Sequence, residues 1–330
     1  MHVPTDALYT MEHQQHFVYA RANKFFLGSL MHTLTSDRQS TTQKTSTNWW
    51  ATQFGTQYLQ TLSHNFTNST QKQIRFIDRI ASLSIKDTIL DVGCGHGRHS
   101  IGLASLGYRV VGIDYSRKFI QMAINTARKA HVNPIFKQQD MRRLNYDAAF
   151  DVVLSIFTSF GYFDHHENLH VLHNMCKALK NHGRLVLDVL NADMIFRDIK
   201  RDGKQISPTV YIRKYTHKKG KYIFVDTDSL NEKTQVTHLH RLWRYGKQSG
   251  KYDFYILRYT LQQLIRMISE EGFAIHSVFG DYNGSSWNPT TKRTIIVAIK
   301  TNRNPLINKC MMLTVQALYA IKQLVWNTIK

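Results

Sequence analysis

TILDVGCGHGRHS, residues 88–100, is the stretch that decides the fold. Its first five residues are almost all apolar or β-branched and barely alternate, the pattern of a strand covered on both faces in a parallel sheet. The run breaks at Gly93, Gly95 and Gly97, three glycines at every second position. Ile101, Leu103, Ala104 and Leu106 then recur with helical spacing. Strand, glycine turn and helix together bring backbone N–H groups and a helix N-terminus against a ligand. A side chain in the turn would hold that ligand away.

A dinucleotide-binding turn reads G-x-G-x-x-G, whereas here the third glycine comes one place early and Arg98 stands where it is expected. That disfavours a nicotinamide-linked dehydrogenase. Asp91 lies in the strand just before the first glycine. This arrangement resembles motif I of the class I S-adenosylmethionine (SAM)-dependent methyltransferases. The resemblance implies that the turn around Gly93, Cys94, Gly95 and Gly97 wraps the methionine part of SAM, with Asp91 beside it.

Further features follow in the order of that family. Residues 109–114, RVVGID, form a short apolar strand ending in Asp114, 21 positions beyond Gly93, an offset that suits a carboxylate accepting ribose hydroxyls. Tyr115 follows, and Ser116 is placed to cap the next helix. After a third strand around residues 134–136, Asp140 and Met141 match the adenine-contacting position. A fourth strand, residues 150–157, carries Ser155 and Phe157 towards the transferred methyl. Residues 179–188 resemble the helix–turn–strand element that precedes the family's fifth strand. The resemblance spans residues 49–300 and implies an α/β fold: a Rossmann-like, seven-stranded doubly wound sheet with an antiparallel last strand.

The 330 residues are 42% hydrophobic, enough for a large core. Cys94, Cys176 and Cys310 are far apart and odd in number, which points to a reducing compartment and a cytoplasmic protein. Seventeen histidines are scattered without a recognisable metal-ligand spacing, so no metal is expected. The net charge of +20 suits anionic partners, nucleic acid among them. However, the Asn/Asp-Pro-Pro-aromatic motif of amino-group nucleic-acid methyltransferases is replaced by Ser155-Ile156-Phe157-Thr158.

Five segments are expected. Residues 1–48 are an extension, with a Ser/Thr/Gln-rich linker over 33–47 and no convincing signal peptide. Residues 49–190 form the SAM-binding core; its aromatic N-terminal stretch includes Phe54 and Tyr58, which by resemblance cap the cofactor, and residues 71–83 form an amphipathic helix. The resemblance also places an acid near Gln73, which this chain lacks. Residues 191–257 alternate in β-rich segments with turns at Gly220 and at 246–250, reading as an antiparallel lid; residues 197–251 hold 14 Lys/Arg against five acids. Residues 258–300 complete the core with a helix entered at Thr260 and a hairpin. Residues 301–330 are an interrupted apolar helix, too broken to span a bilayer and suited to docking, dimerisation or a membrane surface.

Methyl transfer from a sulfonium is an in-line displacement in which the protein binds, orients and excludes water, so no nucleophile need appear. A hydroxyl acceptor would need a base, for which His165, His166 and Tyr162 are the candidates, although both histidines also read as the exposed start of a helix. Phe160, Tyr162, Arg258 and Tyr259 are the candidate acceptor contacts, and with Phe157 the aromatic ones can wall the sulfonium. The expected activity is methylation of a small-molecule amine or hydroxyl. The alternatives are an RNA methyltransferase using the basic insertion and a non-catalytic SAM-binding protein.

Overall fold

The computed structural model describes residues 49–54, 58–59, 66–219 and 221–301. The expected linker, the C-terminal helix with its docking or membrane role, and parts of the aromatic stretch before residue 66 lie outside the described residues.

Helix α1 (Trp49–Gln53) and helix α2 (Phe66–Ile80) precede β1 (Thr88–Val92), α3 (Arg98–Ser105), β2 (Arg109–Asp114), α4 (Arg117–Lys129), β3 (Ile135–Gln138), β4 (Phe150–Ser155), α5 (His165–Ala178) and β5 (Leu179–Leu190). After α6 (Ala192–Asp202) come β6 (Lys204–Ser207), β7 (Val210–Lys219), β8 (Tyr222–Asn231), β9 (Val236–Tyr245) and β10 (Gln248–Leu257). Helix α7 (Leu261–Glu270), β11 (Phe273–Phe279) and β12 (Arg293–Lys300) close the described chain.

Strands in the order β11-β12-β5-β4-β1-β2-β3 form a seven-stranded sheet, in which β12 runs antiparallel to β5 and β11. β1 lies beside the central strand β4, parallel to it and to β2, with Asp91 level with Gly112 and Leu154. Its last four residues are all buried. Leu90 and Val92 join one apolar layer under α5 and α7, while Ile89 joins the other with Ile74 and Ile77 of α2. The two-sided burial that the uniform apolar run predicts is thereby met. The reverse twist of the chain order at β1 and β4 opens a crevice beyond the strands' carboxyl ends.

Strands β6 to β10 form a separate five-stranded antiparallel meander. Residues 191–257, expected as an antiparallel β insertion, open with a helix. Asn191, fully buried, accepts the Asp193 N–H and starts α6, and Ala192 and Ile199 bury at helical rather than alternating spacing. The glycine expected to mark a turn at position 250 instead pairs with Trp243 inside the β9–β10 ladder; a Cβ there would lie 2.7 Å from the indole, so it serves close packing. The turn is the pair Gly246-Lys247, with Gly246 at φ +57°. Residues 179–183 likewise join β5 through a register shift rather than forming a separate turn. Thr260 caps α7 in a full capping box with Gln263. Among the described residues no helix is long and apolar enough to cross a membrane.

Candidate active site

β1 ends at Val92, and the N–H groups of Gly93 and Cys94 both donate to the Ile113 carbonyl at 2.9 Å, folding the turn back over β2. Gly93, Gly95 and Gly97 take φ of +74°, +58° and +81°, the left-handed region that glycine enters freely. At Gly97 packing adds a second demand, since a Cβ would sit 2.7 Å from both Ala123 Cβ and the Phe136 ring. At Gly95 it would meet only Phe119, at 3.9 Å, and fill the open cradle above the turn.

Asp114 ties this turn to the next. Its carboxylate accepts the Gly95 N–H and the Ser116 N–H, each at 2.8 Å, and still lines the cavity beyond the strand ends. Burial pushes its carboxyl up, and the two N–H bonds oppose that. Ser116 caps α4 as expected. The cavity holds about 980 Å³ of space, including its mouth.

Gly93, Cys94, Gly95, Asp114, Tyr115, Asp140, Met141, Phe157, Tyr58 and Tyr162 all line this one cavity. Asp91, Gly97 and Ser155 do not. Asp91 is buried beneath the turn, where it accepts the Ser100 hydroxyl at 2.5 Å. Burial, partly offset by Ser100 and Arg98, pushes its carboxyl up to about 6. Ser155 is fully buried within β4. Phe160, Arg258 and Tyr259 line a separate small cavity of about 240 Å³. His165 and His166 are exposed at the start of α5, and His165 Nδ1 lies 3.2 Å from the Tyr259 hydroxyl, away from the large cavity.

Asp140 is paired with Arg142 at 2.7 Å. Burial would raise its carboxyl, but the Arg142 side chain and N–H together hold it below the usual range. The Arg142 guanidinium also reaches Glu167 and sits over Trp50 and Phe163, at 5.0 and 4.5 Å from their ring centres. His96, on the cavity wall, is driven down to about 4 by burial and by Arg98, so it is neutral at physiological pH. Gln73, where the resemblance places an acid, accepts from Arg98 at 2.5 Å and lies 2.9 Å from His99 Nε2.

An aromatic wall lines the cavity. Phe54 stacks on Tyr162 at 5.6 Å and meets Phe119 of α4 at 6.3 Å. Trp49 meets Tyr162 and Phe254 edge-on at 5.2 and 5.6 Å, and Tyr58 meets Tyr252 at 5.8 Å. These contacts seat α1 between the β10 face of the second sheet and the cavity.

Behind the cavity lies a support built on Asp188 and Arg293, which the sequence reading does not single out. Phe157 and Thr158 both have positive φ, +64° and +69°, a strained pair for residues with side chains. The fully buried Asp188 holds them: its carboxylate accepts the Phe157 N–H at 2.8 Å, and its carbonyl accepts the Thr158 N–H at 2.9 Å. Tyr282 and Arg293 also donate to that carboxylate, and Arg293 reaches Thr158 Oγ1 at 3.1 Å. The Phe157 ring lies between Arg98 and Arg293, with guanidinium carbons 4.6 and 5.3 Å from its centre. Asp188 interrupts the apolar run 185–190 of β5 and Arg293 opens β12 just ahead of the apolar run 295–299, and that pairing of a charge with an apolar run is the signal that could have found them.

Comparison with known proteins settles the family. A model of the methyltransferase domain matches residues 89–183. An uncharacterized methyltransferase of Schizosaccharomyces pombe is 39% identical over 97 residues, 28% of this chain and 67% of that one. The glycine/sarcosine N-methyltransferase of Parasynechococcus marenigrum is 30% identical over 207 residues, 61% of this chain and 68% of that one. This chain belongs to the SAM-dependent methyltransferases. A SAM-dependent methyltransferase from Clostridium acetobutylicum shares the fold, with a TM-score of 0.63 at 15% identity, covering 74% of this chain and 99% of the other. SAM is therefore the methyltransferase's cofactor, and the cavity suits it: the Gly95 cradle is open and Asp114 presents a carboxylate to the same space.

Proposed function

We propose that this methyltransferase transfers the methyl group of SAM to a small-molecule nucleophile, an amine in preference to a hydroxyl. The observation that carries this reading is the aromatic wall. Phe54, Tyr58 and Tyr162 line the same cavity as the glycine turn and pack on one another, giving a chamber of small-molecule size.

In this reading the Gly93–Gly97 turn takes the methionine part of SAM, Asp114 the ribose hydroxyls, and the Asp140–Met141 segment the adenine. SAM supplies a methyl group activated by its sulfonium. The chain's part is to orient the acceptor lone pair in line with that methyl and to exclude water. The ring face of Tyr162 attracts a cationic centre in such a chamber, whereas the Phe157 ring is already engaged by Arg98 and Arg293. Asp188, Tyr282 and Arg293 act as positioning residues, fixing the strained Phe157–Thr158 backbone beside it. The neutral His96 is too weak a base to activate a hydroxyl efficiently at pH 7, whereas an amine need only arrive unprotonated. The similarity to a glycine/sarcosine N-methyltransferase supports the same class of acceptor.

The test has two stages. SAM should raise the melting temperature of the protein by mass action. Release of S-adenosylhomocysteine should then appear with a panel of small primary and secondary amines, and Tyr162→Ala should lower turnover more than SAM affinity. Turnover with RNA at low salt, and none with small amines or alcohols, would overturn the small-molecule reading.

A further inference from the structure

The second sheet assembles a group of metal-ligating side chains on the face turned away from the aromatic wall. Thr237, Leu239, Arg241 and Trp243 of β9 share the face of Phe224 and Phe254, so the intervening His238 and His240 point to the opposite side. On β10, Asp253 stands directly across from His240, and Tyr255 across from His238. His238 Nε2 and His240 Nδ1 approach the same oxygen, Asp253 Oδ1, at 2.9 and 2.8 Å. One ligand atom from each residue can be chosen so that all three lie within 4.8 Å of one another. The Tyr255 ring lies flat on the His238 imidazole, 4.1 Å between centres and 5° from parallel, which fixes the orientation of that ligand.

We propose that His238, His240 and Asp253 form a binding site for a divalent transition-metal ion of the zinc type. Two imidazoles and one carboxylate on adjacent strands present three ligands from one side. Such a donor set favours zinc, cobalt or nickel over magnesium or calcium. A zinc ion with bonds of about 2.0–2.2 Å needs its ligand atoms roughly 3.0–3.5 Å apart. The two nitrogen–oxygen spacings require only a small opening, with the ion replacing the protons shared between the rings and the carboxylate. All three side chains are a little over one-quarter exposed, so the ion can enter from solvent and water can complete its shell. The metal would clamp β9 to β10, the hairpin whose other face carries Tyr252 and Phe254 to the aromatic wall. This site is independent of the acceptor reading above.

The experiment uses tag-free full-length protein titrated with Zn²⁺ by calorimetry and with Co²⁺ by visible absorption. One equivalent of Zn²⁺ should raise the melting temperature, and one equivalent of Co²⁺ should give the d–d bands of a low-coordinate nitrogen–oxygen site. His240→Ala and Asp253→Asn should each weaken Zn²⁺ binding at least about tenfold. His276→Gln, an exposed histidine on β11, should leave it unchanged. The rise in melting temperature with SAM, retained in the variants, shows that they are folded. Zn²⁺ binding no tighter than about millimolar, or binding unaffected by both substitutions, would overturn the site. The Co²⁺ spectrum of the unaltered protein decides the matter even where a variant fails to fold.

Discussion

In the seven-stranded sheet the buried positions of β1, β4 and β5 are mostly leucine, isoleucine and valine, with Asp91, Ser155 and Asp188 as the polar exceptions near the cavity, whereas the second sheet sets charges among its rings throughout. On the latter's inner face the fully buried Asp226 pairs with Arg241 at 2.6 Å and His217 at 3.0 Å, Arg213 pairs with Asp228 at 2.6 Å, and Arg241 covers the Phe224 ring. The first sheet depends on apolar area removed from water, which is non-directional. The second depends on pairs that fail as soon as one partner is lost. Several of the basic residues that make residues 197–251 so strongly positive are therefore engaged within the chain rather than free for a polyanion.

The sharpest way to break this contrast is a pair of substitutions. Asp226→Ala leaves Arg241 half-buried without its main partner and should cost about 3–5 kcal/mol. Hydrogen exchange should then quicken in β8 and β9 well before β1 and β4. Leu90→Ala should cost a similar ~2–5 kcal/mol, but should lower the melting of the whole fold together. Identical exchange patterns in the two variants would refute the distinction. A second prediction separates binding from support. Asp114→Asn should lower SAM affinity about 10–100-fold through weakened charge-assisted hydrogen bonds. The unliganded protein should lose about 1–3 kcal/mol, because one of the two N–H groups loses its acceptor while the other keeps it. An unchanged affinity in calorimetry would remove Asp114 from the cofactor contacts.

The smallest effect concerns acid. Burial raises Asp91 to about 6, so it stays protonated in the fold where the unfolded chain has ionised. Its contribution to stability is full below about pH 4 and is lost as pH rises through about 6. Asp226 is the reverse. Burial alone would raise it, but Arg241 and His217 hold it at about 2, so its contribution is full above about pH 4 and is lost as pH falls through about 2. Asp91→Asn should thus gain about 1–3 kcal/mol relative to the unaltered protein between pH 4 and 7, measured by denaturant unfolding. His96, held near 4 by burial and Arg98, works in the opposite sense over this range, and the single substitution isolates the carboxyl. No pH dependence in the difference would mean that Asp91 is ionised throughout.

Local pattern alone determined much of this protein. The apolar run of β1, the three glycines and the Asp114 offset are consecutive or nearly so, and each is required by backbone geometry that the next few residues fulfil. The parallel order, the closing hairpin and the Ser116 and Thr260 caps were legible for the same reason. Helix α6 is masked in the sequence by the β-rich segments that follow it, because its apolar spacing covers just three turns. Phe160, Arg258 and Tyr259 follow the cofactor strands in sequence, yet packing gathers them around a different cavity. Three features depended on tertiary structure. The Asp188–Tyr282–Arg293 support joins residues about a hundred positions apart across β5 and β12. The aromatic wall needs α1 set against β10. The His238–His240–Asp253 group exists only because the β9–β10 register places Asp253 opposite His240, and a slip of one residue would turn it to the other face. Sequence spacing specifies what the backbone does locally; which side chains meet across strands is fixed by register and burial.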